Sequence, residues 1–242
     1  MAADGRRHVL AIGGLRAPDS YGRGGVPLLV DYAIQLSGAQ IPRICLINTA
    51  MGDDAGSYLR SYQGLSGTPS QVTHLQLFPM PNVESPAELL LSQDVIFVGG
   101  GSVANQMAVW RVHGLDAILR RAWEAGVVLT GVSAGAICWF AGGTTDSFGP
   151  TLRPFTDGLG LLKGSYCPHY DSEAQRKPLY RELVAAGTIP PGVACDDGAA
   201  AHFIDDDLAE IVVDRANARG YRVVIEDTGA VEYGLNTRLL DG

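Results

Sequence analysis

Short apolar runs alternate along the first 140 positions with stretches whose apolar residues recur every three to four positions. Segments 8–14 (HVLAIGG), 43–50 (RICLINTA), 73–78 and 94–101 (DVIFVGGG) read as buried strands. The polar, glycine-rich stretch 15–25 reads as a loop at the end of the first strand. Pro27 opens a helix that runs to Leu36 and stops at Gly38. Asp53 or Asp54 caps a second helix that ends by Gly67, and 86–92 form a short third. Ser102 caps a longer helical pattern broken at Gly114, which Leu115, Ile118, Leu119 and Ala122 continue up to Gly126. The apolar run 127–129 is a fifth strand, and Ala134, Ala136, Ile137, Trp139 and Phe140 open a buried helix. Strands and helices alternating at this spacing predict an α/β fold with a mostly parallel, doubly wound sheet.

After residue 142 the pattern changes. Segment 143–170 is loop-rich, Ser172 and Gln175 form a capping box, and Pro178 begins a helix over 178–186. Strand-like runs at 199–204, 210–214 and 221–226 predict antiparallel C-terminal strands that finish the sheet edge as a meander. No linker-like stretch divides the 242 residues, so residues 1–242 are expected to form one domain.

Composition narrows the possibilities. With 46% hydrophobic and 18% charged residues the chain reads as a globular protein with a sizeable core. A formal net charge of −8 argues against nucleic acid or an anionic membrane as partner. No apolar run approaches the roughly 18 to 20 residues that span a bilayer, and no secretory h-region precedes the first strand. Cys45, Cys138, Cys167 and Cys195 follow no metal or disulfide spacing and read as reduced thiols of a cytoplasmic protein.

The candidate chemistry centres on 131–135, Gly-Val-Ser-Ala-Gly, which matches the G-x-S-x-G nucleophile elbow. The motif alone is weak, but the strand before and the helix after it are the context it requires. A sharp strand-to-helix turn needs small neighbours and pushes the Ser133 hydroxyl out of the sheet, beside a helix N-terminus with free N–H groups. A serine nucleophile then needs a base, an orienting acid and oxyanion donors. Of the five histidines, His169 lies in a loop between a strand and a capped helix, where catalytic residues collect. His8, His74 and His202 fall within strands and His113 in a helix break. Asp146, Asp171, Asp196 and Asp197 are the acid candidates. Asp196 is favoured, Asp197 second and Asp146 third, because a strand end holds a carboxylate more rigidly than a loop. On a regular strand Asp196 and Asp197 cannot both face His169. Gly100 or Gly101, with the Ala134 amide, is the natural oxyanion pair. The spacing of Gly99–Gly101 fits neither G-x-G-x-x-G nor the Walker pattern. Arg153 and Arg176 flank the His169 loop and are the candidate clamps for an acidic substrate residue.

Taken together, Gly131-Val-Ser-Ala-Gly-Ala136, Phe97-Val-Gly-Gly-Gly-Ser102, Cys167-Pro-His169 and Asp196-Asp-Gly198 resemble the peptidase E family, the aspartyl dipeptidases and cyanophycinases. The resemblance runs from the first strand to the strand after Asp197. It implies a fold akin to class I glutamine amidotransferases and a serine peptidase acting on short peptides without a metal or other cofactor. By position it makes Ser133 the nucleophile and His169 the base, with Ala134 and a glycine of 99–101 as oxyanion donors. Asp196 then stands where family members generally carry Glu. A homodimer remains open as the assembly. Two other readings stay beside this one: a cyanophycinase-like, amidase or esterase activity on another small substrate, and a catalytically silent binding protein of the same fold.

Overall fold

The computed structural model describes residues 5–15, 22–227 and 229–241. In chain order, β1 is His8–Ile12, α1 Leu28–Leu36, β2 Arg43–Ile47, α2 Ala55–Leu65, β3 Gln71–Leu75, α3 Pro86–Leu91, β4 Val95–Val98, α4 Val103–Val112, α5 Leu115–Glu124 and β5 Val128–Val132. There follow α6 (Ala134–Ile137), β6 (Gly142–Thr145), β7 (Arg153–Phe155), β8 (Ser165–Cys167), α7 (Arg176–Ala185), β9 (Gly192–Cys195) and β10 (Ala199–Ile204). The last four strands are β11 (Asp207–Val213), β12 (Gly220–Glu226), β13 (Gly229–Gly234) and β14 (Thr237–Leu239).

Among the described residues the strands form two sheets. The larger has the order β14-β11-β10-β1-β5-β4-β2-β3 and is parallel from β1 to β3. On its other side β10 runs antiparallel to both β1 and β11. This mixed, mostly parallel α/β architecture is the expected one. Its central strands are covered on both faces, which is why they read as unbroken apolar runs rather than alternating ones. Along β1, Val9 and Ala11 join the cluster that includes Trp110, Trp139 and Phe140, whereas Leu10 and Ile12 pack with Leu29 and Ala33 of α1. Each large side chain buried this way contributes roughly 1.5–3 kcal/mol.

The second sheet, β13-β12-β9-β8-β6-β7, departs from the sequence reading. β12 and β13 belong to it and do not finish the first sheet's edge; only β10, β11 and β14 extend that sheet. β6, β7 and β8 fall in the stretch read as loop, because Gly142-Gly-Thr-Thr145 carries no apolar pattern. One face of this sheet is covered by α7 through Tyr180, Leu183 and Val184.

Several boundaries differ. Asp54, not Asp53, caps α2 by accepting from the Ser57 amide, while Asp53 accepts from the Leu77 and Phe78 amides. The helix after Ser133 is a single turn, and Trp139 and Phe140 lie beyond it. α7 begins at Arg176 with Gln175 as its N-cap, so Pro178 is its third residue and the Ser172–Gln175 capping box does not form. Of the loop read at 15–25, residues 16–21 lie outside the described residues, and Arg23–Gly25 form a single 3-10 turn. Among the described residues no helix is long and apolar enough to cross a membrane. All four cysteines are buried free thiols.

Candidate active site

Ser133 follows β5 directly, at the centre of the larger sheet. Its φ of 55° and ψ of −115° lie in territory that costs a non-glycine residue on the order of 1–3 kcal/mol. The strain is held in place from three sides. The Ser133 amide donates to the Ile12 carbonyl of β1 at 3.1 Å, and its carbonyl accepts from the Ala136 and Ile137 amides. A Cβ at Gly131 would overlap the Gly135 carbonyl oxygen, and one at Gly135 would overlap that of Val98. The two glycines of the motif therefore let strand, turn and helix close on one another.

The glycines after β4 complete this wall. A Cβ on Gly100 would stand 3.3 Å from the Ser133 Cβ and 3.9 Å from its Oγ, so the backbone of Gly100 runs against the Ser133 side chain. Gly101 has a φ of 128°, which only glycine adopts readily, and it lines the same cavity as Ser133. Ala134 is the first residue of α6, so its amide has no intrahelical acceptor.

His169 and the acids come from the second sheet. β8 and β9 are parallel neighbours with Cys167 opposite Ala194, so the chain ends that follow them emerge side by side. His169 lies two residues past β8, and Asp196 and Asp197 follow β9 directly. Asp197, and not Asp196, faces the imidazole: His169 Nδ1 lies 2.7 Å from Asp197 Oδ1. The preference for Asp196 is thus corrected by register. Asp196 continues the β9–β12 ladder, donating its amide to the Arg219 carbonyl and accepting the Arg219 amide on Oδ2, both at 3.0 Å. The next residue must then present its side chain to the opposite face. Asp196 Oδ1 is buried without a hydrogen-bond partner, and burial, followed by the nearby Asp171 charge, pushes its carboxyl up to about 6.

Ser133 and His169 line one cavity of about 280 Å³ with Gly101, Ser102, Asp146, Ser147, Glu173 and Arg176. That lies near the roughly 300 Å³ lower end of small-molecule sites and suits a small substrate. Asp146 is exposed on the cavity wall, and the hydrogen-bond partner of His169 is Asp197. Arg176 is buried; its Nε donates to Glu173 Oε2 at 2.8 Å and its Nη1 to the Thr144 carbonyl at 2.6 Å. Arg153 is exposed on β7 opposite Thr145 and does not line the cavity. The remaining histidines are engaged elsewhere: His8 with His202, His202 with Tyr32, His74 with Tyr62, and His113 as the C-cap of α4.

Sequence reasoning missed Gly14 and Arg215. Gly14 bridges to Asp197, and its carbonyl accepts from the Gly198 amide at 2.9 Å. A Cβ on Gly14 would overlap Asp197 Oδ1 and stand 2.7 Å from His169 Nδ1. The available signal was a Gly-Gly pair closing the strand beside the one that leads into Ser133. Gly14→Ala is expected to push the carboxylate and imidazole apart and lower kcat by about 10²-fold, the usual cost of a displacement near 1 Å. Steady-state kinetics on the purified variant checks this; a kcat within twofold of wild type would show that the pair tolerates the methyl group.

The sequence profile of Peptidase family S51 matches residues 21–211. The chain is 42% identical over 212 residues to a Bacillus subtilis protein named "Uncharacterized peptidase YgaJ", covering 88% of this chain and 91% of that one. It is 26% identical over 170 residues to the Peptidase E of Shewanella denitrificans, covering 66% and 67%. Among solved structures, a peptidase from an acI-B1 Actinobacterium superposes with a TM-score of 0.65 at 17% identity over 96% of both chains. A putative Peptidase E protein from Listeria monocytogenes gives 0.59 at 15% identity over 96% of this chain and 100% of its own. At those identities the two structures speak for the fold, and the profile and the Bacillus relative carry the kinship. By these measures the chain belongs to peptidase family S51.

Proposed function

We propose that this chain is a serine peptidase that hydrolyses short peptides through an acyl-enzyme at Ser133, with residues 1–242 acting as one catalytic unit. The observation that carries the reading is the strained Ser133 sharing a small cavity with His169, whose Nδ1 is held at 2.7 Å by Asp197. With Nδ1 committed to the carboxylate, Nε2 is the nitrogen left to take the Ser133 proton as Oγ attacks the peptide carbonyl. The Gly100 or Gly101 amide and the Ala134 amide receive the oxyanion. His169 then returns the proton to the departing amine, and water attacks the acyl-enzyme by the same route in reverse. The test is labelling with a fluorophosphonate probe, read by peptide mass mapping, beside hydrolysis of a dipeptide library. Labelling at Ser133 with release of free amino acids is expected; an unlabelled Ser133 in a folded protein overturns the reading.

Specificity follows from the charges in the cavity. Arg176 is its cation, but its Nε and Nη1 are already engaged, and the Asp146 and Glu173 carboxylates line the same space. This balance suits the α-ammonium group that every free dipeptide brings and adds no net attraction for an acidic first side chain. Arg176→Ala is therefore expected to lower kcat/KM for Asp-X and Leu-X dipeptides to a similar degree. A selective rise in KM for Asp-X would instead mean that Arg176 clamps a substrate carboxylate.

A further inference from the structure

Asp197 sits where the chain leaves β9 of one sheet to enter β10 of the other, between neighbours held by backbone bonds: the Asp196 amide donates to the Arg219 carbonyl and the Gly198 amide to the Gly14 carbonyl. Two side chains outside the cavity grip the backbone of Asp197 itself. Asp171, two residues past His169 on the same loop, accepts the Asp197 amide on Oδ1 at 2.8 Å. Its Oδ2 accepts from Arg215 Nη2 at 2.9 Å. Arg215 in turn donates from Nε to the Asp197 carbonyl at 2.9 Å, and Nη2 reaches the same oxygen. The amide and the carbonyl of Asp197 are thus held by two partners that are themselves paired. Gly198 makes room for this: its φ is 79°, and a Cβ there would stand 2.8 Å from Arg215 Nε.

We propose that Asp171 and Arg215 form a positioning clamp that fixes the Asp197 carboxylate against His169. The inference rests on the catalytic reading of Ser133, His169 and Asp197. Because Asp171 and His169 share one loop, the clamp ties the base and its acid together by a second link. The Arg215 and Asp171 side chains are 29% and 32% exposed, so the pair adds little to global stability. Its effect falls on geometry. An orienting acid that drifts no longer fixes the imidazole tautomer or stabilises the imidazolium.

The experiment compares Asp171→Asn, Arg215→Met, Arg215→Lys and the double variant Asp171→Asn/Arg215→Met with wild type. Each single loss of the clamp is expected to lower kcat about 10- to 100-fold, on the scale of supporting-residue losses, with KM within about twofold. Melting should stay within a few degrees of wild type, and Arg215→Lys should recover part of the rate. The double variant should be no slower than the slower single, since both residues act on one carboxylate. Rates within twofold of wild type for both Asp171→Asn and Arg215→Met, or a loss that appears in KM and not in kcat, overturn the clamp. Should Arg215→Met fail to fold, Asp171→Asn and Arg215→Lys carry the test. Wild-type labelling at Ser133 separates the two levels: no labelling overturns the catalytic reading and the clamp with it, whereas labelling with unaffected variants overturns the clamp alone.

Discussion

Ser133→Ala is expected to lower kcat on dipeptides by about 10⁶-fold while the protein keeps its fold. The loss is that large because the covalent route goes with the hydroxyl, leaving only the oxyanion donors and substrate positioning. Serine and alanine meet similar steric resistance at a φ of 55°, so melting of the Ala variant should match wild type within a few degrees. Ser133→Gly should be just as inactive but melt higher than Ser133→Ala, because glycine adopts this backbone without strain. Kinetics on enzyme purified free of host peptidases, with a thermal melt of each variant, reads both effects. An Ala variant that kept a tenth of the wild-type rate would reduce Ser133 to a turn residue.

The elements most legible in the sequence were those whose burial is uniform. β1, β2, β4 and β5 lie inside the larger sheet, so their residues had to be apolar on both faces, and each run stood out between glycines or caps. Asp54, Ser85 and Ser102 accept amide hydrogens at the starts of α2, α3 and α4, which is why those helix starts were readable. The second sheet was not readable in the same way. β6 is built from Gly142, Gly143, Thr144 and Thr145, where the first two have no side chain because Phe155 and Tyr166 backbone oxygens occupy that space. A strand made small by its neighbours carries no hydrophobic signal of its own. Whether β12 extends the first sheet or joins β9 is likewise decided by pairing partners, which local patterns do not encode.

The site divides along the same line. Ser133 and its glycines form a local device, and the turn's steric demands fall on adjacent positions, so the motif names it. His169 was separable from the other histidines because it alone occupies a loop at a strand end. Gly14, Asp171 and Arg215 lie 183, 26 and 18 positions from Asp197 and meet at it only because β9, β10 and β1 bring them there. No spacing rule links an arginine at 215 to a histidine at 169.

The choice between adjacent aspartates is where one residue of register decides the chemistry. Asp197→Asn is expected to lower kcat by about 10⁴-fold with KM little changed, because the amide keeps the shape but permits the wrong imidazole tautomer. Asp196→Asn should leave kcat within a few-fold, since Asp196 faces the Arg219 amide and not His169. Its effect should appear in stability instead. The Asp196 carboxyl is pushed up to about 6 from 3.8, chiefly by burial and next by the Asp171 charge, so the folded state binds its proton more tightly than the unfolded chain. Raising the pH from about 4 to about 6 therefore removes stability from the wild type, and the penalty is fully present above that window. Asn carries no charge to bury and keeps an oxygen for the Arg219 amide. The variant should gain on the order of 1–2 kcal/mol at pH 8, a rise of a few degrees in Tm, and show no gain at pH 4. Asp146→Asn, on the exposed cavity wall, should change kcat modestly and KM more, as expected of a group that meets substrate but does not hold the base. Parallel kinetics and melts at pH 4 and pH 8 on the three variants read the whole pattern. If Asp196→Asn were the crippling change and Asp197→Asn were tolerated, the strand would present the opposite face to His169. If Asp146→Asn alone were crippling, the acid would come from the cavity wall and the order along the chain would be serine, aspartate, histidine.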